Sequence, residues 1–295
     1  MGPSGWVYLN GDICKAEAAS VSPFDRGFLF AHAAYEVTAV FDGRLIDFEG
    51  HMARLERTLG GIDIPMPMSR TELEALHRDI LARNNLIEGF IYMQVTGGAY
   101  GVRDFAGPET LQPGLFLFCE ARELIGEKAR DGVKAVLVED QRWKRRDYKT
   151  TQLLSQALAY RDAQRAGATS AILHEDGFVT EAASANLWVV SPDRRIITRN
   201  LGYSILPGIT RQSVLDRLSG SGFDVEERAV SIEELNAAAE VFTTAATSLV
   251  LPVIELDGHA VGEGRPGPVT RRVQALYYDA IGADSEKRAA WVAGA

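Results

Sequence analysis

Apolar and polar residues alternate through GWVYLNGDICKAEAASVSP on both sides of Asn10-Gly11, and a period of two around that dipeptide predicts a β-hairpin at the start of the chain. VTAVFDGRLIDFEGHMARLERTLGGI predicts a second hairpin at Asp42-Gly43, then a helix whose apolar positions Met52, Leu55 and Leu59 recur at helical spacing. Ser69 followed by Glu72 marks a capped helix start ahead of LEALHRDIL. GFIYMQVTGG and GLFLFCEARE read as strands, and the loop AYGVRDFAGPETLQP between them is long enough to carry function.

The charged, Gly-containing stretch from about Leu124 to Asp131 is the expected linker, which sets residues 1–123, 124–132 and 133–295 as small domain, linker and large domain. The second half predicts a strand at VKAVLVED, a helix from about Thr150 to Ala166, and strands in SAILHEDGFVTEAA and NLWVVSPDRRIITR with turns at Asp176-Gly177 and Pro192-Asp193. A helix after Pro207-Gly208, strands near 240–244 and 251–256, and a last helix from about Gly267 to Ile281 complete it. Helices mix with antiparallel strands in both halves, so the expected class is α+β.

Composition narrows the function. With 31 basic and 40 acidic residues the formal charge is −9, which argues against a general affinity for nucleic acid or an anionic membrane. Two cysteines, Cys14 and Cys119, do not make a disulfide framework, and five scattered histidines offer no metal-ligand spacing. Without a signal peptide or a long uncharged apolar run, the expectation is a cytoplasmic protein.

Four features could carry chemistry. QRWKRRDYKTTQLLS places Arg142, Lys144, Arg145 and Arg146 just before Lys149; neighbouring cations favour the neutral, nucleophilic amine, although such runs are more often solvated surface. Glu181 stands before five small or polar residues, Ala182 to Asn186, which allow close approach to a flat ligand; a loop glutamate in water is the plainer alternative. LPGITR, with Gly208, Ile209 and Thr210, opens a helix and TTAATS follows a strand: each could cradle phosphate oxygens or be an ordinary element end. An imine-forming lysine, a carboxylate for a ring nitrogen and two phosphate-cradling turns are together what pyridoxal 5'-phosphate requires.

The order and spacing of DRGFLF, AAYEVTAVFDG, HMARLERTLGGI, IYMQVTGG, VEDQRWKRRDYKT, AILHEDGFVTEAASANLW, LPGITR, TTAATS and LPVIELDG resemble the fold type IV (class IV) pyridoxal-phosphate enzymes over nearly the whole chain, and most resemble the D-amino acid aminotransferases. The resemblance implies a small N-terminal α/β domain, a larger C-terminal domain with a barrel-like sheet, a cleft between them and a homodimer. It implies Lys149 as the Schiff-base lysine and Glu181 as the partner of the pyridine nitrogen. Arg54, Gly208, Ile209, Thr210 and Thr247 would hold the phosphate side, with Leu206 against the ring and Arg142 nearby. Tyr35, Arg103 and Ser248 fall to the substrate, a D-amino acid whose amino group passes to pyruvate or 2-oxoglutarate by a ping-pong route.

Departures qualify the substrate. Arg103 matches the family's loop arginine only after a one-residue shift, Asp104 follows it where no histidine does, Ala31-His32-Ala33 replaces Gly-Asp-Gly, and Ala246 stands where a threonine is usual. The alternatives are an (R)-selective amine transaminase, a branched-chain-type aminotransferase, an aminodeoxychorismate lyase, or a non-catalytic binding protein.

Overall fold

The computed structural model describes residues 5–283 and 289–292. The chain forms two compact units, one running up to Glu123 and including Tyr148–Gln152, the other comprising Leu124–Asp147 and the chain from Leu153 onward.

The first unit contains β1 (Trp6–Leu9), β2 (Asp12–Lys15), α1 (Arg26–Phe30), β3 (Ala33–Phe41), β4 (Arg44–Leu45), α2 (Phe48–Gly61), α3 (Arg70–Arg83), β5 (Gly89–Thr96) and β6 (Gly114–Ala121). Its strands form one antiparallel sheet in the order β2-β1-β6-β5-β3-β4. Alternation along the strands gives the sheet two faces. One turns Ala34, Val40, Ile91, Met93, Val95, Leu115 and Leu117 onto Met52, Leu55 and Leu59 of α2 and Leu73 and Ile80 of α3. The other carries an aromatic ladder: Tyr35 stacks on Tyr92 at 5.6 Å, and Tyr92 meets Phe118 at 5.0 Å. Ser69 caps α3 in the expected reciprocal box with Glu72. No helix was expected within DRGFLF; α1 forms because the Asp25 carboxylate accepts the Gly27 N–H at 2.7 Å.

The second unit contains α4 (Glu127–Asp131), β7 (Val133–Glu139), α5 (Leu154–Arg165), β8 (Ser170–Glu175), β9 (Phe178–Ala182), β10 (Asn186–Val190), β11 (Ile196–Thr198), α6 (Ile209–Leu218), β12 (Val225–Glu227), β13 (Val230–Ser231), α7 (Ile232–Asn236), β14 (Glu240–Ala245), β15 (Leu249–Leu256), β16 (His259–Ala260) and α8 (Pro268–Ala280). Its sheet runs β12-β11-β10-β14-β15-β7-β8-β9-β13, with β16 beside β15. A bridge between Ala182 and Ala185 ties the end of β9 back to the start of β10, so the ladder from β10 through β14, β15, β7 and β8 meets its own beginning in a barrel-like closure. Leu187, Val189, Ile172, Val241 and Val253 fill its core.

Three expectations change. The stretch 124–131 is not an exposed linker: Leu124 and Ile125 are buried, α4 occupies part of it, and the Ala129 carbonyl accepts from Arg271 and Gln274 of α8. The helix expected from Thr150 starts only at Leu154. Thr151 donates its N–H to the Ala33 carbonyl at 3.1 Å and Thr150 bridges Ala34, so 150–151 are extended against β3. For the same reason Tyr148–Gln152 cluster with the N-terminal unit, whereas the sequence placed Lys149 in the large domain.

Candidate active site

Lys149 is fixed by its backbone on both sides. Its carbonyl accepts the Tyr35 N–H at 3.0 Å, its N–H donates to Thr58 Oγ1 at 3.3 Å, and Nζ lies 4.1 Å from the centroid of the Tyr35 ring. Tyr35 and Lys149, a substrate and a catalytic candidate, are thus brought together at the aromatic face of the sheet. On the opposite face the next residue, Glu36, accepts from Arg54 Nε and Nη2, both at 2.8 Å, and from His51 Nδ1 at 2.8 Å. All three side chains are buried. Burial alone would push the Glu36 carboxyl up; the charge and hydrogen bonds of Arg54 and then of His51 outweigh it and hold the group far below the ordinary carboxylate range. Arg54 is therefore half of a bidentate ion pair, a partner the sequence reading did not assign to it. The available signals were Glu36 on a strand and His51 three residues before Arg54 on one helix face.

The second unit brings two further candidates, Arg142 and Leu206, onto Glu181, at the end of β9 where the barrel closes. Glu181 Oε1 accepts from Arg142 Nη1 at 2.5 Å and from the Leu206 N–H at 3.1 Å; Oε2 accepts from Asn186 Nδ2 at 2.8 Å. Asn186 also donates to the Leu206 carbonyl at 2.8 Å, binding the carboxylate to the segment that opens α6. A Cβ on Gly208 would stand 1.9 Å from Asn186 Oδ1, so only glycine permits this approach. Gly208 is the N-cap of α6 and no side chain caps the helix, which leaves the first-turn N–H groups at Ile209 and Thr210 available to an anion. Thr247 and Ser248 are half-buried in the turn between β14 and β15. Asn186 was not singled out from the sequence; its signal was a polar residue entering a strand of five buried positions.

The basic run is neither a strand nor a bare positive patch. It is irregular, and Arg142 donates to Asp140 through Nε and Nη2, Arg145 pairs with Asp147, and Arg146 pairs with Glu175 at 2.6 Å. Arg142 is accordingly Glu181's cationic partner. Burial lifts the Glu181 carboxyl above its ordinary range, against the downward pull of Arg142 and the Leu206 N–H.

Arg103 is exposed on the loop 97–113, its guanidinium 4.8 Å from the Phe105 ring and 5.5 Å from that of Phe30. The Asp104 carboxylate accepts the Ala106 N–H at 3.2 Å, an ordinary turn contact.

These groups fit pyridoxal phosphate in kind. The two oxygens of Glu181 offer about four acceptor directions, and the protein donors described here fill three, leaving Oε2 able to take one more N–H. Among the described residues, no cluster of His, Cys, Asp or Glu suits a metal ion, and no helix is long and apolar enough to cross a membrane.

Comparison with known proteins identifies the family. The amino-transferase class IV family matches residues 33–256. The chain is 34% identical over 281 residues to the D-alanine aminotransferase of Bacillus licheniformis, covering 95% of this chain and 99% of that one. It is 34% identical over 269 residues to the D-alanine aminotransferase of Staphylococcus haemolyticus, covering 91% and 95%. Its fold superposes on a branched-chain amino acid aminotransferase from Escherichia coli with a TM-score of 0.87, at 25% identity over 97% of this chain and 98% of that one. The chain belongs to the class IV aminotransferases and is a pyridoxal-phosphate-dependent enzyme of fold type IV.

Proposed function

We propose that the enzyme transfers the amino group of a D-amino acid to a 2-oxo acid, pyruvate or 2-oxoglutarate, in two successive half-reactions. The observation that carries this reading is Lys149 Nζ over the Tyr35 ring at 4.1 Å, in a chain whose curated relatives are D-alanine aminotransferases. Bound pyridoxal phosphate supplies the electron sink that makes the substrate Cα acidic. Lys149 would attach the cofactor through its ε-amine, and the same amine, when neutral, would serve as the base that takes and returns the substrate Cα proton. Glu181 holds the ring nitrogen protonated through a charge-assisted hydrogen bond, its raised proton affinity making it the better acceptor. Arg54, the N–H groups of Ile209 and Thr210 and the Thr247 hydroxyl would hold the phosphate, with Gly208 allowing the approach; Leu206 would pack against the ring and Arg142 would favour the ionised form of Glu181. Tyr35, Arg103 and Ser248 serve the substrate. A homodimer and a cytoplasmic location belong to the same proposal, and sedimentation of the holoenzyme tests the first.

A branched-chain-type activity is the second reading. It is favoured by the likeness to the Escherichia coli branched-chain enzyme and by the Val37, Tyr92 and Phe118 positions, which pair across the aromatic face of the first sheet and would suit bulky apolar donors. Turnover of D-alanine, L-leucine and (R)-1-phenylethylamine, each with pyruvate and with 2-oxoglutarate, separates the readings. D-alanine is expected to be the best donor, with parallel double-reciprocal plots; preference for L-leucine would overturn the proposal. Borohydride reduction of the holoenzyme followed by peptide mass spectrometry should place the cofactor adduct on Lys149 and on no other lysine.

A further inference from the structure

The loop 97–113 is held at its middle by a buried cation that the activity does not otherwise use. Arg26, 7% exposed, donates Nη1 to the Asp104 carbonyl at 2.6 Å, Nη2 to the Phe105 carbonyl at 2.7 Å and Nε to His32 Nδ1 at 3.0 Å. Since Nδ1 accepts, the imidazole proton sits on Nε2, which donates to the Ile62 carbonyl at the end of α2 at 2.7 Å. No carboxylate pairs with Arg26 among the described residues, so the loop's own carbonyl dipoles and a neutral imidazole stabilise its charge.

The backbone is shaped around this contact. Ala31, in the left-handed region at φ 53°, reverses the chain after α1 and returns His32 over Arg26, a conformation that costs an L-residue about 1 kcal/mol. A Cβ at Gly97 would stand 2.9 Å from His32 Nδ1, and one at Gly107, whose φ is +73°, 2.9 Å from Arg26 Nη1. The loop entrance is secured separately, by the Arg26 N–H to the Gly98 carbonyl at 2.9 Å and by Thr96 Oγ1 to Asp25 Oδ2 at 2.8 Å. Arg26 and His32 thus fix residues 104 and 105, and with them the Phe105 and Phe30 rings against which the Arg103 guanidinium rests.

We propose that Arg26 and His32 are positioning residues: a guanidinium–imidazole clamp that sets the place of Arg103 and so the affinity for carboxylate-bearing substrates. The substrate half of this statement rests on the reading of Arg103 as a carboxylate-binding residue; the structural half does not. Replacing His32 by alanine removes both the acceptor for Arg26 Nε and the tie to α2. Replacing it by aspartate restores an acceptor for Arg26, as a charged pair, and loses only the tie to Ile62.

Hydrogen exchange of peptides covering 99–112, measured on the holoenzymes, is the first arm. Loss of one hydrogen bond to a charged group should speed exchange about tenfold in His32→Ala and in Arg26→Lys, with His32→Asp close to wild type. Steady-state kinetics with D-alanine and with (R)-1-phenylethylamine, which has no carboxylate, are the second. KM for D-alanine should rise about tenfold in His32→Ala with kcat little changed and with KM for the amine unmoved. Unchanged exchange in both His32→Ala and Arg26→Lys overturns the clamp. Faster exchange with an unaltered KM for D-alanine, or with equal KM increases for both donors, overturns the positioning role. If the wild-type enzyme does not turn over D-alanine, the functional reading fails, while the exchange measurement still decides whether the clamp exists.

Discussion

At the scale of single residues, the site depends on how each buried charge is compensated. Glu181 is 3% exposed, and Arg142, itself shared with Asp140, pulls its carboxyl down against the upward push of burial. Burial pushes Asp140 up, but Arg142 and the Thr180 hydroxyl hold it below its ordinary range, so Arg142 stays charged and paired whatever happens at position 181. This separates charge from structure in a Glu181→Gln variant: the shape is retained, Arg142 keeps Asp140, and what disappears is the carboxylate proposed to face the ring nitrogen. The expected result is a kcat lower by roughly 10²-fold or more with a thermal midpoint close to wild type, since the lost contribution acts on proton transfer. Stopped-flow half-reactions on the purified variant measure it directly, and a kcat within threefold of wild type would remove Glu181 from the chemistry. The Glu36–Arg54 pair makes the contrast. Removing one member of such a buried pair strands the other, at a cost of about 3–5 kcal/mol, so Glu36→Ala is expected to unfold the protein before it informs on function.

At the scale of elements, the legible parts were those encoded locally. Asn10-Gly11, Asp42-Gly43 and Asp176-Gly177 all adopt positive φ at both positions, which is why two residues sufficed to find three hairpins. The same pair at Asp257-Gly258 turns β15 into β16. Elements decided by distant partners were misjudged: α5 starts late because β3 claims 150–151, and the stretch 124–131 was read as linker because its charged residues drew attention from Leu124, Ile125 and Ala129, which are buried. His77 on α3 looked from the sequence like one of five scattered histidines, yet it is fully buried. Its Nδ1–H donates to the Leu73 carbonyl at 2.7 Å, the Phe48 ring meets it edge-on, and Nε2 has no partner. Burial pushes its pKa down to about 4. The unfolded chain therefore takes up a proton near the ordinary histidine value, about 6.5, before the folded chain can. Stability is accordingly complete above that value and falls as pH drops towards 4, by about 2 kcal/mol between pH 7 and pH 5 and about 3 kcal/mol in total. Urea midpoints across this range should show the loss in wild type and a flatter profile in His77→Leu; parallel profiles would mean that another group carries the acid sensitivity.

At the scale of the whole molecule, Lys149 and Glu181 stood out as candidates because the order and spacing of the motifs around them resemble those of a known family, whereas the contacts that Arg26, Arg142 and Asn186 make are between residues far apart in the chain. Arg26 reaches carbonyls 78 and 79 positions away, Arg142 reaches Glu181 across 39, and Asn186 reaches Leu206 across 20. No local pattern records such pairs, so sequence suggested which groups bind and structure showed what holds them. The chain carries a net charge of −9 and most cations near the candidate site are already neutralised, Arg54 by Glu36, Arg142 and Arg146 by carboxylates. Long-range attraction therefore contributes little to capturing an anionic cofactor, and affinity has to come from short-range contacts made only by the folded chain. A ligand of that kind stabilises the fold by mass action, about 2.7 kcal/mol at a concentration 100 times its dissociation constant. For a protein of this size that corresponds to a rise in thermal midpoint on the order of 5 °C. Calorimetry of the apoprotein with increasing pyridoxal phosphate should show this rise, and a smaller one in Lys149→Ala, which keeps the other contacts but cannot attach the cofactor. Equal shifts in the two proteins would place the attachment elsewhere, and no shift in either would mean that these residues do not form the cofactor site.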